Sequence, residues 1–270
     1  LLVALLAGAG CASVPRHPDT AERLAGFVAY SADLRVRHEP GAETFAARAA
    51  ALLPGAIAQV EVWHRRPFAR AVEIHVCGSP ECLERIVPDP PGITAAVAYD
   101  NRLLLGARLF DREPERLRPI LVHELSHLHF GQRLGHYTTR IPVWFHEGFA
   151  SLVAHGGGAD LATDHEVAAA IAAGRHFTVA DGTAERAAGA GPAPLDALPM
   201  RLFYRQAYRF VRALARDAPH RFAALIDALQ DGEAFEPAFH EAYGDSPATL
   251  YEAFLAAQRA RAGVQPGSSP

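Results

Sequence analysis

The sequence predicts an α+β fold with a small N-terminal sheet, helices that carry a candidate active site, and a helical C-terminal part. Three observations lead there. Short β-type runs cluster between residues 71 and 110. Apolar residues at helical spacing follow from residue 115 onward. Strands and helices are segregated along the chain instead of alternating, which separates α+β from a doubly wound sheet. With 270 residues, 50% of them hydrophobic, the chain supports one sizeable core or two subdomains sharing a cleft.

Residues 1–40 read as a signal segment and tether. "LLVALLAGAG" is an apolar run of ten residues ending at Cys11. It is too short to span a bilayer and fits the end of a secretory signal peptide. The small residues before Cys11, with Ala12 and Ser13 after it, resemble a bacterial lipoprotein signal, although Gly8 stands where that signal usually carries leucine. The expectation is an exported protein of the bacterial cell envelope, facing the periplasm and tethered to the membrane by lipid on Cys11. Export permits a disulfide between Cys77 and Cys82 in "VCGSPEC", where Gly78 and Pro80 let the chain bend. A zinc knuckle is excluded by the lack of a second cysteine pair.

The elements then follow in order. Residues 12–40 hold a first strand or turn. Residues 41–58 predict a helix with Phe45, Ala49 and Leu52 on one side. Strand-like runs occupy 71–77, 93–99 and 102–110. Asp100 and Asn101 make a hairpin turn between the last two, and Pro88, Pro90 and Pro91 mark the loop before them. A helix over 115–131 precedes a connection, and Pro142 suits the first turn of a second helix, "VWFHEGFASLVA". These pieces make an α/β metal-binding unit over 41–155. Residues 156–198, rich in Gly, Ala and Pro, read as a flexible loop region with a helical piece at 165–173. Helices return over 199–262, and 263–270 read as a disordered tail.

The net charge of −4 offers no global basic field, so nucleic acid is not an expected partner. All 26 basic residues are arginine. That reads as a coding bias, and arginine clusters are not to be read as phosphate clamps.

Chemistry concentrates in "LVHELSHLHFGQ", residues 121–132, which holds three histidines and a glutamate within seven residues. His123 and His127 are four apart, so on a helix both imidazoles reach one metal ion from one face. Glu124 lies one step round and reaches a water on that metal without being a ligand. Zinc acidifies such a water into a nucleophile, with Glu124 as general base. A third ligand is needed. His136 comes too late for the metzincin spacing, and the only methionine, Met200, supplies no convincing Met-turn. Glu147 in "PVWFHEGFA" is the better candidate.

HExxH followed by W-x-x-E-G-x-A resembles the gluzincin metallopeptidases, in their peptidase MA-like branch related to the zinc aminopeptidases. The resemblance covers about residues 70–260. It implies a zincin, thermolysin-like fold, Zn2+ as cofactor, and His123, His127 and Glu147 as its ligands. His146 is then a neighbour and not a ligand. "FYRQAYRFVRAL" is similar to the family helix whose tyrosine stabilises the oxyanion. This implies Tyr204 in that role, with Tyr208 in reserve. Two departures stand out. The G-x-M-E-N segment that reads a substrate amine is absent, and Ser151 stands where thermolysin-type enzymes carry an acidic residue four after the third ligand. The group that orients His123 is therefore not identified from sequence.

The expected function is a zinc metallopeptidase that cleaves peptide or protein substrates at the cell envelope. Two rivals are a zinc-stabilised envelope scaffold without catalysis and a peptidoglycan or amide hydrolase on the same site. Glu124 argues against the scaffold, because a purely structural zinc site has no use for that carboxylate.

Overall fold

The computed structural model describes residues 20–87, 95–99, 101–179 and 198–263. The signal segment with Cys11, the loop prolines 88, 90 and 91, Asp100, and the tail from 264 lie outside the described residues, as does the His136 side chain.

The chain opens with α1 (Thr20–Leu24), β1 (Val28–Ala29) and β2 (Val36–His38), then the long α2 (Glu43–His64). Next come β3 (Ile74–Val76), α3 (Pro80–Ile86), β4 (Ala96–Tyr99), β5 (Arg102–Leu105) and the short α4 (Arg108–Asp111). The remainder is helical: α5 (Leu117–Leu134), α6 (Val143–Val153), α7 (Asp164–Ala172), α8 (Met200–Asp217), α9 (Pro219–Gln230), α10 (Phe235–Tyr243) and α11 (Pro247–Gly263). This is an α+β protein, mostly helical, with one small mixed sheet.

The sheet order is β1-β2-β3-β5-β4. The inner three strands run parallel, and the edges β1 and β4 pair antiparallel to their neighbours. Crossovers through α2 and α3 make the parallel pairs, as such connections require. Tyr99 pairs with Arg102 across the hairpin. Asn101 takes the left-handed conformation there, φ 61°, which asparagine tolerates well. The disulfide Cys77–Cys82 is formed and both cysteines are buried beside Leu83 and Ile86.

Several boundaries differ from the sequence reading. The helix expected over 41–58 runs on to His64, through Pro54. Pro54 faces solvent, where water can satisfy the carbonyl its missing N–H leaves unpaired. The buried stripe of that helix is Ala46, Ala49, Leu53, Ala56 and Val60, one step round from Phe45 and Leu52. Phe45 instead stacks on Phe110, ring centroids 4.7 Å apart. The run 102–110 is strand only to Leu105. Gly106 N–H bonds back to Ala95 O at 2.9 Å, and the chain turns into α4 so that Leu109 and Phe110 reach the core. The motif helix α5 extends to Leu134, and a 3-10 stretch, Gly135–Arg140, joins it to α6. Pro142 is the N-cap of α6 and not a first-turn residue.

Helix α6 is buried on every side, with all of Trp144–Val153 inaccessible. That explains its nearly uninterrupted apolar sequence. Its closest neighbour is α8. A Cβ added at Gly148 would lie 2.6 Å from Ala207 O, so only glycine permits this approach. Trp144, Phe145 and Phe149 fill the space beneath, packed against Phe210, Phe222 and Phe235. This rigid packing fixes the height at which Glu147 faces α5.

Candidate metal centre

Two turns of α5 and one of α6 build the site. His123 and His127 stack one turn apart on α5, and α6 brings Glu147 against them. The distance between the two Nε2 atoms is 3.0 Å. Glu147 Oε2 lies 3.2 Å from His127 Nε2 and 3.3 Å from His123 Nε2. These three residues are the group that could hold a metal among the described residues. Ligand atoms about 2.0–2.1 Å from a tetrahedral zinc are roughly 3.3 Å from one another, so the triangle fits such an ion with little adjustment.

The electrostatics agree with that donor set. His123 and Glu147 are buried, and His127 is partly so. Burial opposes ionisation of Glu147, but His127 and His123 outweigh it and hold the carboxyl well below the usual range. Burial likewise opposes a proton on His123, yet Glu147 and Glu124 raise its affinity. A charged carboxylate facing two imidazoles in a buried site can be balanced by a cation at the centre of the three.

Each imidazole is held by its other nitrogen. His123 Nδ1 lies 3.0 Å from Gly157 O and 3.4 Å from Ser151 Oγ. An Nδ1–H donated to that carbonyl leaves the Nε2 lone pair aimed inward. Ser151 thus occupies the place noted in the sequence and touches the same imidazole, as a hydroxyl instead of an acid. The loop after α6 is wrapped tightly here. Gly158 has φ +82°, and a Cβ on it would sit 2.5 Å from His123 Nδ1. On the other side His127 Nδ1 faces His146 Nε2 at 3.3 Å, so His146 touches a candidate ligand without joining the cluster.

Glu124 stands outside the triangle. Its Oε2 accepts a hydrogen bond from Ala98 N–H of the edge strand β4, at 3.0 Å. Desolvation raises its proton affinity, against the pull of His127 and His123. Tyr204, on α8, is partly exposed, its ring centroid 6.4 Å from that of His123. Tyr208 is one turn further along and buried, with the guanidinium of Arg205 5.3 Å from its ring.

The third histidine of the motif points elsewhere. On the opposite face of α5, Ser126 Oγ lies 2.8 Å from His64 Nε2. Gln230 Nε2 bridges His64 Nδ1 at 2.9 Å and His129 Nδ1 at 3.3 Å. His129 Nε2 meets Arg66 O at 2.9 Å. This network ties α5 to α2 and α9. Its partners lie 62 and 101 residues away from α5 in sequence, and no local pattern announces them. Gly157 O and Ala98 N–H are equally hidden, being main-chain groups.

The family model described as Peptidase MA superfamily matches residues 61–257, a span that includes every residue of the site. No individual curated protein matches the chain.

Proposed function

We infer, from the premise that the chain belongs to the peptidase MA superfamily, that it is a zinc-dependent metallopeptidase of gluzincin type. One observation carries the reading: two imidazole nitrogens and one carboxylate oxygen meet at 3.0–3.3 Å, with a second carboxylate, Glu124, beside them and uncommitted to the cluster. Two nitrogens and one oxygen leave a fourth position open, as catalytic zinc sites do.

His123, His127 and Glu147 hold the ion. Zinc, when bound, supplies a Lewis acid for the scissile carbonyl and lowers the pKa of water at the open position. Glu124 takes the proton of the attacking water and returns it to the leaving amine. Its raised proton affinity suits both halves of that transfer. Tyr204 donates its hydroxyl hydrogen to the oxygen that becomes negative as the carbon turns tetrahedral.

The setting we propose is the bacterial cell envelope, with Cys11 lipidated and peptides or proteins as substrates. The apolar run before Cys11 and the Cys77–Cys82 disulfide support it. Cys11→Ser in the full-length precursor then abolishes lipid labelling and releases the protein from membranes.

A peptide-library digest by purified protein, with and without a chelator, tests the activity. Cleavage that stops on chelation and returns with zinc is the expected result. Elemental analysis gives about one zinc per chain. Glu147→Gln loses metal far more readily than His146→Ala. The reverse order overturns the ligand set, and zinc without any cleavage favours a scaffold.

A further inference from the structure

Away from the metal centre a cavity of about 580 Å³ opens between α8, α11 and the start of α9. None of His123, Glu124, His127, Glu147 and Tyr204 lines it. Its accessible apolar lining is Leu250, Ala253, Phe254 and Ala257, over the buried Phe210, Leu214 and Tyr243. Its rim carries five guanidinium groups, those of Arg209, Arg212, Arg216, Arg221 and Arg261, against the carboxylates of Asp164, Asp217 and Asp245.

Those carboxylates are largely engaged. Asp217 pairs with Arg216 at 2.6 Å, and Asp164 with Arg205 at 2.8 Å. Arg209 reaches the Asp164 carboxylate only at 3.9 Å. It is instead held by two neutral acceptors, Asp164 O at 3.0 Å and Gln258 Oε1 at 2.5 Å. They fix its direction without cancelling its charge. Burial, and then Arg205, Arg261 and Arg212, weaken its hold on its proton, with Asp164 opposing. Arg212 lies against the Tyr208 ring, 5.9 Å from its centroid. Among the described residues neither Arg212 nor Arg261 has a carboxylate within ion-pair distance. Coding bias accounts for arginine in place of lysine. It does not account for five arginines lining one cavity against three aspartates, a net charge of +2 (5 − 3) that an anion would balance.

We propose that this cavity binds an amphiphilic phosphate: a phosphate head held by Arg209, Arg212 and Arg261, and a short hydrocarbon lying on Leu250, Phe254 and Ala257. Guanidinium forks match phosphate oxygens in geometry as well as charge. The volume falls within the roughly 300–1,000 Å³ typical of small-molecule sites. The head belongs either to a soluble phosphomonoester or to an anionic phospholipid.

Titration calorimetry of the full chain with hexyl phosphate, inorganic phosphate and hexanol tests this. Hexyl phosphate is expected to bind at least about tenfold more tightly than either fragment, and more weakly as salt is raised. The Arg212→Gln/Arg261→Gln double variant, altered at two exposed positions, loses at least about tenfold of that affinity, as expected for two charge-assisted contacts. It keeps its circular dichroism and its metal content. Arg209→Gln repeats the loss independently. Binding no tighter than hexanol, or unchanged in both variants, overturns the site. Co-flotation of the Cys11→Ser chain with phosphatidylglycerol vesicles, lost in the double variant, assigns the head to a lipid. Hexyl phosphate binding without co-flotation assigns it to a soluble ester. Because the cavity shares no residue with the metal centre, its failure leaves the peptidase reading standing, and the converse holds.

Discussion

Helix α5 presents histidines on two opposite faces, and the two faces treat them in opposite ways. On one face His123 and His127 turn their Nε2 atoms toward each other and toward Glu147, leaving three donor atoms around a common point. On the other face every ring nitrogen of His64 and His129 meets a neutral partner, Ser126, Arg66 O or the Gln230 amide that bridges the two rings. The first face gathers charge. The second excludes it: burial holds His64 well below its usual value and brings His129 down to about 4. Burial alone therefore does not distinguish a ligand from a strut. The distinction lies in whether the ring nitrogens meet neutral partners or share a carboxylate.

Substitutions can break this contrast, and the largest effects are expected on the metal face. Glu124→Gln keeps size and shape but removes the base. It should lower kcat by about 10²–10⁴ with zinc retained. If zinc leaves with it, Glu124 belongs to the ligand set and the two roles collapse into one. Tyr204→Phe follows, with a loss of about 10²–10³ in kcat and intact packing. Should Tyr208→Phe show that loss instead, the hydroxyl comes from the next turn of α8. Gly158→Ala presses a methyl group toward His123 Nδ1, at an initial 2.5 Å, and strains a φ of +82°. Zinc affinity, measured by chelator competition, should fall by about 10–100-fold, the usual range for disturbing a group that orients a ligand.

The opposite face should answer on a different axis. His64→Leu strips Ser126 and Gln230 of a partner inside the core. We expect about 2–3 kcal/mol less stability in denaturant unfolding, with zinc affinity nearly unchanged. A matching fall in zinc affinity would erase the contrast between the faces. A further effect is graded by pH. The unfolded chain protonates His129 below about 6.5, whereas the folded chain resists until about 4. As pH falls through that window the unfolded state alone gains the proton, so stability drops, by up to about 1.4 kcal/mol per pH unit for this residue. His75, also depressed to about 4 by burial, adds to the same slope from the sheet. His129→Gln should flatten it, and an unchanged slope would show that His129 titrates normally in the fold.

The candidate metal face is legible in the sequence because its residues obey local rules. A spacing of four puts His123 and His127 on one side of a helix, and Glu147 sits within its own recognisable pattern. The strut face is not legible there, since His64 and Gln230 reach α5 from distant segments. Helix α2 shows a smaller failure of the same kind. Alanine is apolar at so many of its positions that the pattern does not choose between the Phe45–Leu52 side and the Ala46–Leu53 side. The neighbouring elements choose, because the small alanines let α2 approach α5 and the sheet closely. Ser151 shows the reverse case: its position is legible as a departure, but only the fold shows that it still reaches His123.

The hydrogen bond from Ala98 N–H to Glu124 bears on how this site withstands mutation. An amide hydrogen is not encoded by any particular codon. Nineteen of the twenty residues supply one at position 98, whereas the carbonyl that Gly157 offers His123 is tied to glycine, because a Cβ there would lie 2.7 Å from Pro119 O. Drift in the side chain at 98 therefore leaves the aim of Glu124 untouched unless it displaces the strand, and proline is the one substitution that deletes the bond outright. An inherited arrangement of this kind can persist while the residues that provide it change identity, which makes it durable in descent and inconspicuous in sequence.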